Sequence, residues 1–171
     1  ALSSAASDVY KRQYRRDYQG IISFDGRNIR SFSVGEWADI RKHSLSILFQ
    51  ELRIFPELTA LENVLLKNRL TNHKKKKEIL ALFEATGIPD KTDERAGKLS
   101  FGQQQRVAFI RSLCQPFDFI FLDEPISHLD NDNSAIMSRL LMEEAGKQGA
   151  GIIVTSIGKH LELEYDETFR L

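Results

Sequence analysis

Apolar and polar positions along the chain alternate between two periods, and each change of period marks an element. Gly20 to Phe24 reads as a short strand running into Asp25-Gly26, a pair suited to a hairpin turn. From Ser33 to His43 apolar residues recur at Val34, Trp37 and Ile40, the spacing of one helix face. Ser46 to Phe49 is a short buried strand that stops at Gln50, and Pro56 breaks the chain after it. Thr59 to Leu70 predicts a helix with Thr59 as N-cap, Glu62 closing a capping box, and Leu61, Val64 and Leu65 on one side. Lys74 to Thr86 predicts a second amphipathic helix, with Ile79, Leu80, Leu82 and Phe83 on its apolar side and Gly87 and Pro89 ending it. Ser100 to Cys114 predicts a third, with Val107, Ile110 and Cys114 turned inward.

The C-terminal part changes character. Phe119 to Leu122 and Gly151 to Thr155 are apolar runs expected to be fully buried strands. A long helix, Asp132 to Gln148, separates them and ends at Gly149, and Glu167 to Leu171 is expected to add a last strand. Strands alternating with helices predict an α/β fold: a parallel sheet with helices on both faces. The stretch from Arg53 to Lys98 lacks strands and reads as an inserted helical subdomain. Its lysine run, Lys74–Lys77, is expected to be a solvated helix face.

Composition narrows the function classes. The 171 residues carry 24 basic and 24 acidic side chains, a formal net charge of zero, which argues against a dedicated nucleic-acid binder. Runs such as Phe119–Leu122 fall far short of the ~20 apolar residues a spanning helix needs. A single cysteine, Cys114, excludes an intrachain disulfide or a Cys-cluster zinc site and fits a reducing compartment. Residues 1–13 show no usable period. Ser3–Gln13 resembles the in-frame translation of a transposase-type sequencing adapter, so 1–13 are set aside from the fold reasoning.

Two segments carry candidate chemistry. In Leu99-Ser100-Phe101-Gly102-Gln103-Gln104-Gln105-Arg106-Val107, Ser100 can cap a helix that Gln103 closes three residues later. Gly102 removes a side chain where a close approach is needed, and a capped helix N-terminus suits an anion such as phosphate. In Phe119-Ile120-Phe121-Leu122-Asp123-Glu124-Pro125 an apolar strand delivers two carboxylates at its C-terminal end, where α/β sheets bind ligands. One can hold Mg²⁺ and the next can polarise an attacking water.

These segments resemble, in order, the motifs of the ATP-binding cassette (ABC) ATPases. Leu99–Val107 is similar to the family signature, and Phe119–Pro125 to its Walker B strand with the catalytic glutamate. Ser127-His128-Leu129-Asp130 resembles the loop that follows, and Ile47-Leu48-Phe49-Gln50 the strand entering the Q-loop. Phe55–Val64 further resembles cassettes of the lipoprotein-releasing and macrolide-exporter type. The resemblance implies a P-loop NTPase-like (RecA-like) parallel sheet core with an inserted helical subdomain. It implies ATP and Mg²⁺ as ligands and ATP hydrolysis as the activity. Asp123 and Gln50 would bind Mg²⁺, and Glu124 and Gln50 would act on the attacking water. Ser100, Gly102 and Gln103 would bind the γ-phosphate of ATP held by a second cassette in a head-to-tail dimer, and Asp130 would communicate across that dimer. Transmembrane permease subunits would hold the cytoplasmic cassette on the inner face of the plasma membrane. Repair and chromosome-organising cassettes usually insert coiled coils between Q-loop and signature. Ser100 follows Gln50 by only 50 positions, too few for one.

Three departures qualify the resemblance. No G-x-x-x-x-G-K-[ST] phosphate loop occurs in the chain, and family spacing would put its lysine about 45 residues before Gln50, inside the adapter-like segment. The expectation is therefore a domain incomplete at its N-terminus. Residues 14–52 would be a remnant core with the Q-loop, 53–98 the helical subdomain, and 99–171 the signature, Walker B strand and C-terminal core. Such a chain would bind ATP negligibly by itself. Ser156 stands where the family usually has a histidine, with His160 four residues later, and Phe101 replaces a signature glycine. A degenerate cassette, binding nucleotide as a regulatory module without turnover, is the alternative these departures favour.

Overall fold

Residues 20–125, 131–157, 161 and 163–169 are described by the structure, a computed structural model. Residues 1–13, the loop Ser127–Asp130 and His160 lie outside the described residues.

The Asp25-Gly26 pair turns β1 (Ser23–Phe24) back onto β2 (Arg27–Asn28), with φ of 50° and 72° at the two turn residues. Two positive φ angles are what a two-residue hairpin turn requires, and Asp-Gly tolerates them. Ser33 then caps α1 (Val34–His43) in a reciprocal box with Glu36, and Arg27 reaches the Glu36 carboxylate at 2.9 Å. Those hydrogen bonds, from the Ser33 backbone and hydroxyl and from Arg27, hold the Glu36 carboxyl down at about 2. Trp37 and Ile40 turn inward as expected. Val34, the first residue of the helix, is 85% exposed, because α1 meets the protein only from its second turn.

The sheet is parallel, in the order β3 (Leu45–Leu48), β4 (Phe119–Asp123), β5 (Gly151–Thr155). Leu48 lies beside Leu122, and Leu122 beside Val154. Side chains alternate between the faces. Leu48, Ile120 and Leu122 enter the main core, and Leu45 and Phe121 join Trp37, Ile29 and the hairpin's Phe24 on the other face. The expectation of fully buried strands is therefore corrected. Phe119 is 39% exposed, since the hairpin and α1 cover its face only in part, and Gly151 to Val154 are half-buried on both faces of β5, which lies at the edge of the sheet among the described residues.

The main core is filled by four further helices: α2 (Ala60–Asn68), α3 (Lys76–Ala85), α4 (Phe101–Leu113) and α5 (Asn131–Gln148). Thr59 and Glu62 form the expected box at α2, and Val64 is fully buried with Leu61 and Leu65 packed beside it. On α3, Ile79, Leu82 and Phe83 are buried, but Leu80 is 38% exposed; one residue past Ile79 is a 100° turn away from the core stripe. On α4, Val107, Ile110 and Cys114 are all fully buried. Between Arg53 and Lys98 the structure has helices and 3-10 turns, joined by a single antiparallel bridge, Thr59 to Arg95.

Two further expectations change. Lys74 does not belong to a solvated face. Its ammonium is buried and paired with the buried Glu144 carboxylate of α5, which Lys147 also reaches at 3.0 Å, while Lys75, Lys76 and Lys77 are exposed. Glu167–Phe169 do not form a strand: all three are exposed, Phe169 by 58%, and no neighbouring strand among the described residues offers them a ladder.

Candidate functional site

The parallel register brings three predicted residues to one edge. Because Leu48 pairs with Leu122, Gln50 leaves β3 at the same end of the sheet at which Asp123 and Glu124 leave β4. That end is the C-terminal one, where ligands bind in α/β sheets. The Thr155 hydroxyl donates to Asp123 Oδ1 at 2.8 Å, which fixes the carboxylate against β5. Glu124 has φ of 49°, a left-handed conformation rare for a residue with a Cβ. Its N–H still donates to the Thr155 carbonyl at 2.9 Å, so the chain stays on the ladder while the turn takes the Glu124 side chain off the strand's alternation. Gln50 is exposed, and Asp123 and Glu124 are half-buried.

The chemistry of this set suits Mg²⁺ arriving with a phosphate ligand. No group of three His, Cys, Asp or Glu side chains among the described residues makes a closed metal cage. Mg²⁺ is ordinarily held by one or two carboxylates plus waters and substrate phosphate oxygens, and one carboxylate with one amide oxygen fits that pattern.

The other three predicted residues sit together at the start of α4. Ser100 Oγ accepts from the Gln103 N–H at 3.3 Å, and Gln103 Oε1 accepts from the Ser100 N–H at 2.9 Å. The Gln103 carboxamide is therefore engaged in the cap. Gly102 is half-buried and Phe101 is 46% exposed beside it. Gln104 Nε2 donates to the Ala96 and Leu99 carbonyls at 3.0 and 3.1 Å, shaping the turn that leads in.

Residues that the sequence reading passed over join the two groups. Buried Gln105 donates through Nε2 to the Pro125 carbonyl, and Arg106 donates to Asn133 Oδ1 at 2.7 Å. At its far end α4 is fastened to β3, where Ser46 Oγ donates to the Ser112 carbonyl at 2.6 Å and Gln115 Nε2 to the Leu45 carbonyl at 2.9 Å. Helix α4 is thus keyed at both ends to the strands that lead to Gln50 and Glu124. Polar residues on the inner half of a predicted helix were the available signal for Gln105. Thr155 gave none, because its partner depends on strand register.

The sequence profile of the ABC transporter family matches residues 9–127. The chain belongs to that family. The profile match begins inside the segment that resembles an adapter. An uncharacterized ABC transporter ATP-binding protein of Bacillus subtilis, YclH, is 33% identical over 157 residues, covering 90% of this chain and 68% of the relative. The lipoprotein-releasing system ATP-binding protein LolD of Syntrophotalea carbinolica is 30% identical, covering 91% and 70%. An uncharacterized ABC transporter ATP-binding protein of Mycobacterium tuberculosis is 31% identical over 86% of this chain, which spans only 46% of its length. Among solved structures, the dimeric bacterial ABC transporter cassette MJ0796 superposes with a TM-score of 0.74 at 25% identity, covering 89% of this chain and 70% of that one. The fold is accordingly that of an ABC ATPase cassette, a P-loop NTPase. Among the described residues no helix is long and apolar enough to cross a membrane.

Proposed function

We propose that this chain contributes the ATP-hydrolysing edge of an ABC transporter, acting as a head-to-tail pair with a second cassette and driving separate transmembrane permease subunits from the cytoplasmic face of the plasma membrane. The observation that carries the reading is the end of β4. Asp123 is held by Thr155, Glu124 is turned aside by its left-handed backbone, and Gln50 leaves the neighbouring strand at the same edge. Mg²⁺, brought in with the nucleotide, would neutralise charge on the phosphates; Asp123 and Gln50 would be its oxygen donors from the chain. Glu124 would orient an attacking water and accept its proton. Phosphoryl transfer depends chiefly on such positioning and charge stabilisation. Ser100, Gly102 and Gln103 would face nucleotide held by the second cassette, with Gln103 leaving its cap to do so.

The division into 14–52, a helical unit 53–98 and 99–171 belongs to the same proposal. So does membership of the lipoprotein-releasing or exporter type, which the Phe55–Val64 segment and the LolD relatives favour. The chain contains no G-x-x-x-x-G-K-[ST], so alone it is expected to bind ATP negligibly. Ser156, in the place of the family's usual histidine, favours a second reading in which the site binds nucleotide without turnover.

A chimera decides between the two. A relative's segment bearing the phosphate loop is joined ahead of Gly20, and single-turnover ATP hydrolysis is measured. Hydrolysis that Glu124→Gln abolishes, with ATP binding retained, supports the enzyme. ATP binding without hydrolysis in the parent chimera supports the regulatory module.

A further inference from the structure

The loop that carries Gln50 is held in an unfavourable shape by a residue of the signature helix. Leu52 and Arg53 are consecutive left-handed residues, with φ of 55° and 47°, and neither is glycine. Side chains with a Cβ disfavour that region, and two in succession persist only where the surroundings enforce them. The turn is tight: the Leu52 N–H donates to the Phe49 carbonyl at 3.0 Å, and the Arg53 N–H to the Glu51 carbonyl at 2.6 Å. What enforces it is Arg111 of α4. Its Nη1 donates to the Arg53 carbonyl at 2.9 Å and its Nη2 to the Leu52 carbonyl at 2.5 Å, so one guanidinium grips both strained peptides. Burial pushes Arg111 below its ordinary value, yet a guanidinium stays charged there and presents two donors in one plane.

The flanks are fixed as well. Leu52 is buried in the main core, and the Arg53 guanidinium lies 4.3 Å from the centroid of the Phe49 ring. Fully buried Asn63 accepts from the Phe55 N–H at 2.9 Å and donates to its carbonyl at 3.0 Å. Gln50 and Glu51 stand exposed just ahead of the turn.

We propose that Arg111 is a positioning residue for Gln50: it fastens the strained Leu52–Arg53 turn to the signature helix, so that the Gln50 loop moves with the helix that carries Ser100 and Gln103. Gln103 and Arg111 lie about 12 Å apart along one rigid helix. A displacement of the signature end therefore reaches the carbonyls two residues beyond Gln50 without passing through the sheet. The role assigned to Gln50 rests on the function proposed above; the clamp itself does not.

The test uses Arg111→Met and Arg111→Lys, in this chain and in the phosphate-loop chimera. In the chain, Arg111→Met is expected to speed amide exchange at Leu52 and Arg53 about tenfold, and tryptic cleavage after Arg53 with it, while β3 exchange stays unchanged. Arg111→Lys keeps a charged donor but loses the fork, and should fall between. In the chimera, kcat is expected to fall about tenfold at constant KM for ATP, with partial rescue by lysine. Unchanged exchange at Leu52 and Arg53, or acceleration spread equally over β3 and α4, overturns the clamp. An unchanged kcat in a hydrolysing chimera overturns its positioning role. If Arg111→Met does not fold, Arg111→Lys is decisive through the same exchange sites. A chimera without hydrolysis counts against the proposed function and leaves the exchange result to judge the clamp.

Discussion

Thr155 and Asp123 face each other at the end of the parallel β4–β5 ladder, and the threonine hydroxyl donates to the aspartate carboxylate at 2.8 Å. The Asp123 carboxylate is therefore held by a side chain of the neighbouring strand. Thr155→Val keeps the shape and removes the donor. It is expected to lower stability by about 1 kcal/mol, the usual net worth of a buried hydrogen bond, read as a lower urea midpoint at unchanged slope. Thr155→Ser should keep most of it.

The Lys74–Glu144 pair fastens the segment ahead of α3 to α5, with both side chains less than a tenth exposed. Lys74→Met leaves the buried Glu144 carboxylate with the exposed Lys147 as its remaining cation, so it is expected to cost about 2–3 kcal/mol, short of the ~3–5 kcal/mol of a fully stranded charge, and the double variant with Glu144→Leu less. Burial works against the Glu144 charge, but hydrogen bonds from Lys74 and Lys147 outweigh it and hold the carboxyl below its ordinary value of 4.5. Its contribution to stability is thus complete above that value and is lost as pH falls through the lower folded one. Urea midpoints of wild type and Glu144→Gln should converge below pH 4.5 and separate above it.

These two pairs also mark what the sequence could and could not reveal. The capping boxes Thr59–Glu62 and Ser100–Gln103 were read from the sequence because both partners sit three residues apart, and Ser33–Glu36, with the same spacing, was passed over. The apolar runs of β4 and β5 were legible as strands but not in their burial, which depends on how far other elements spread over each face and on β5 lying at the sheet's edge among the described residues. Glu144 lies 70 residues from Lys74, and Thr155 32 residues from Asp123. Arg111 grips carbonyls 58 and 59 residues away, where no side-chain identity announces an acceptor. Candidate site residues at one strand end could be proposed from sequence; the residues packed against them could not, because register and packing bring them in.

Cys114 offers a reporter of global opening. It is fully buried at the end of α4, and burial pushes its thiol up to about 12. A thiol that is both inaccessible and protonated does not attack a disulfide reagent. Native protein at pH 8 is expected to show no reaction with a thiol-specific disulfide reagent over minutes, and one thiol per chain in 6 M guanidinium. Rapid modification of the native protein would mean that α4 frays at its C-terminal end.

Gly97 sits where the segment ahead of α4 crosses the segment ahead of α2. Its N–H donates to the Pro56 carbonyl at 2.9 Å, next to the Ala96 N–H donating to Leu58 at 2.8 Å. A Cβ at Gly97 would stand 3.1 Å from both the Pro56 carbonyl oxygen and its Cβ. The oxygen belongs to backbone that a hydrogen bond already fixes, so it cannot move aside as a side chain could. Gly97→Ala is expected to destabilise by about 1 kcal/mol, at the low end of overpacking costs, and to speed exchange at Ala96 and Gly97 before it affects β3. Pro56→Ala leaves the carbonyl in place and should not relieve it fully. A neutral or stabilising Gly97→Ala would show that the two segments separate easily, and that the Gln50 loop and α4 are joined mainly through Arg111.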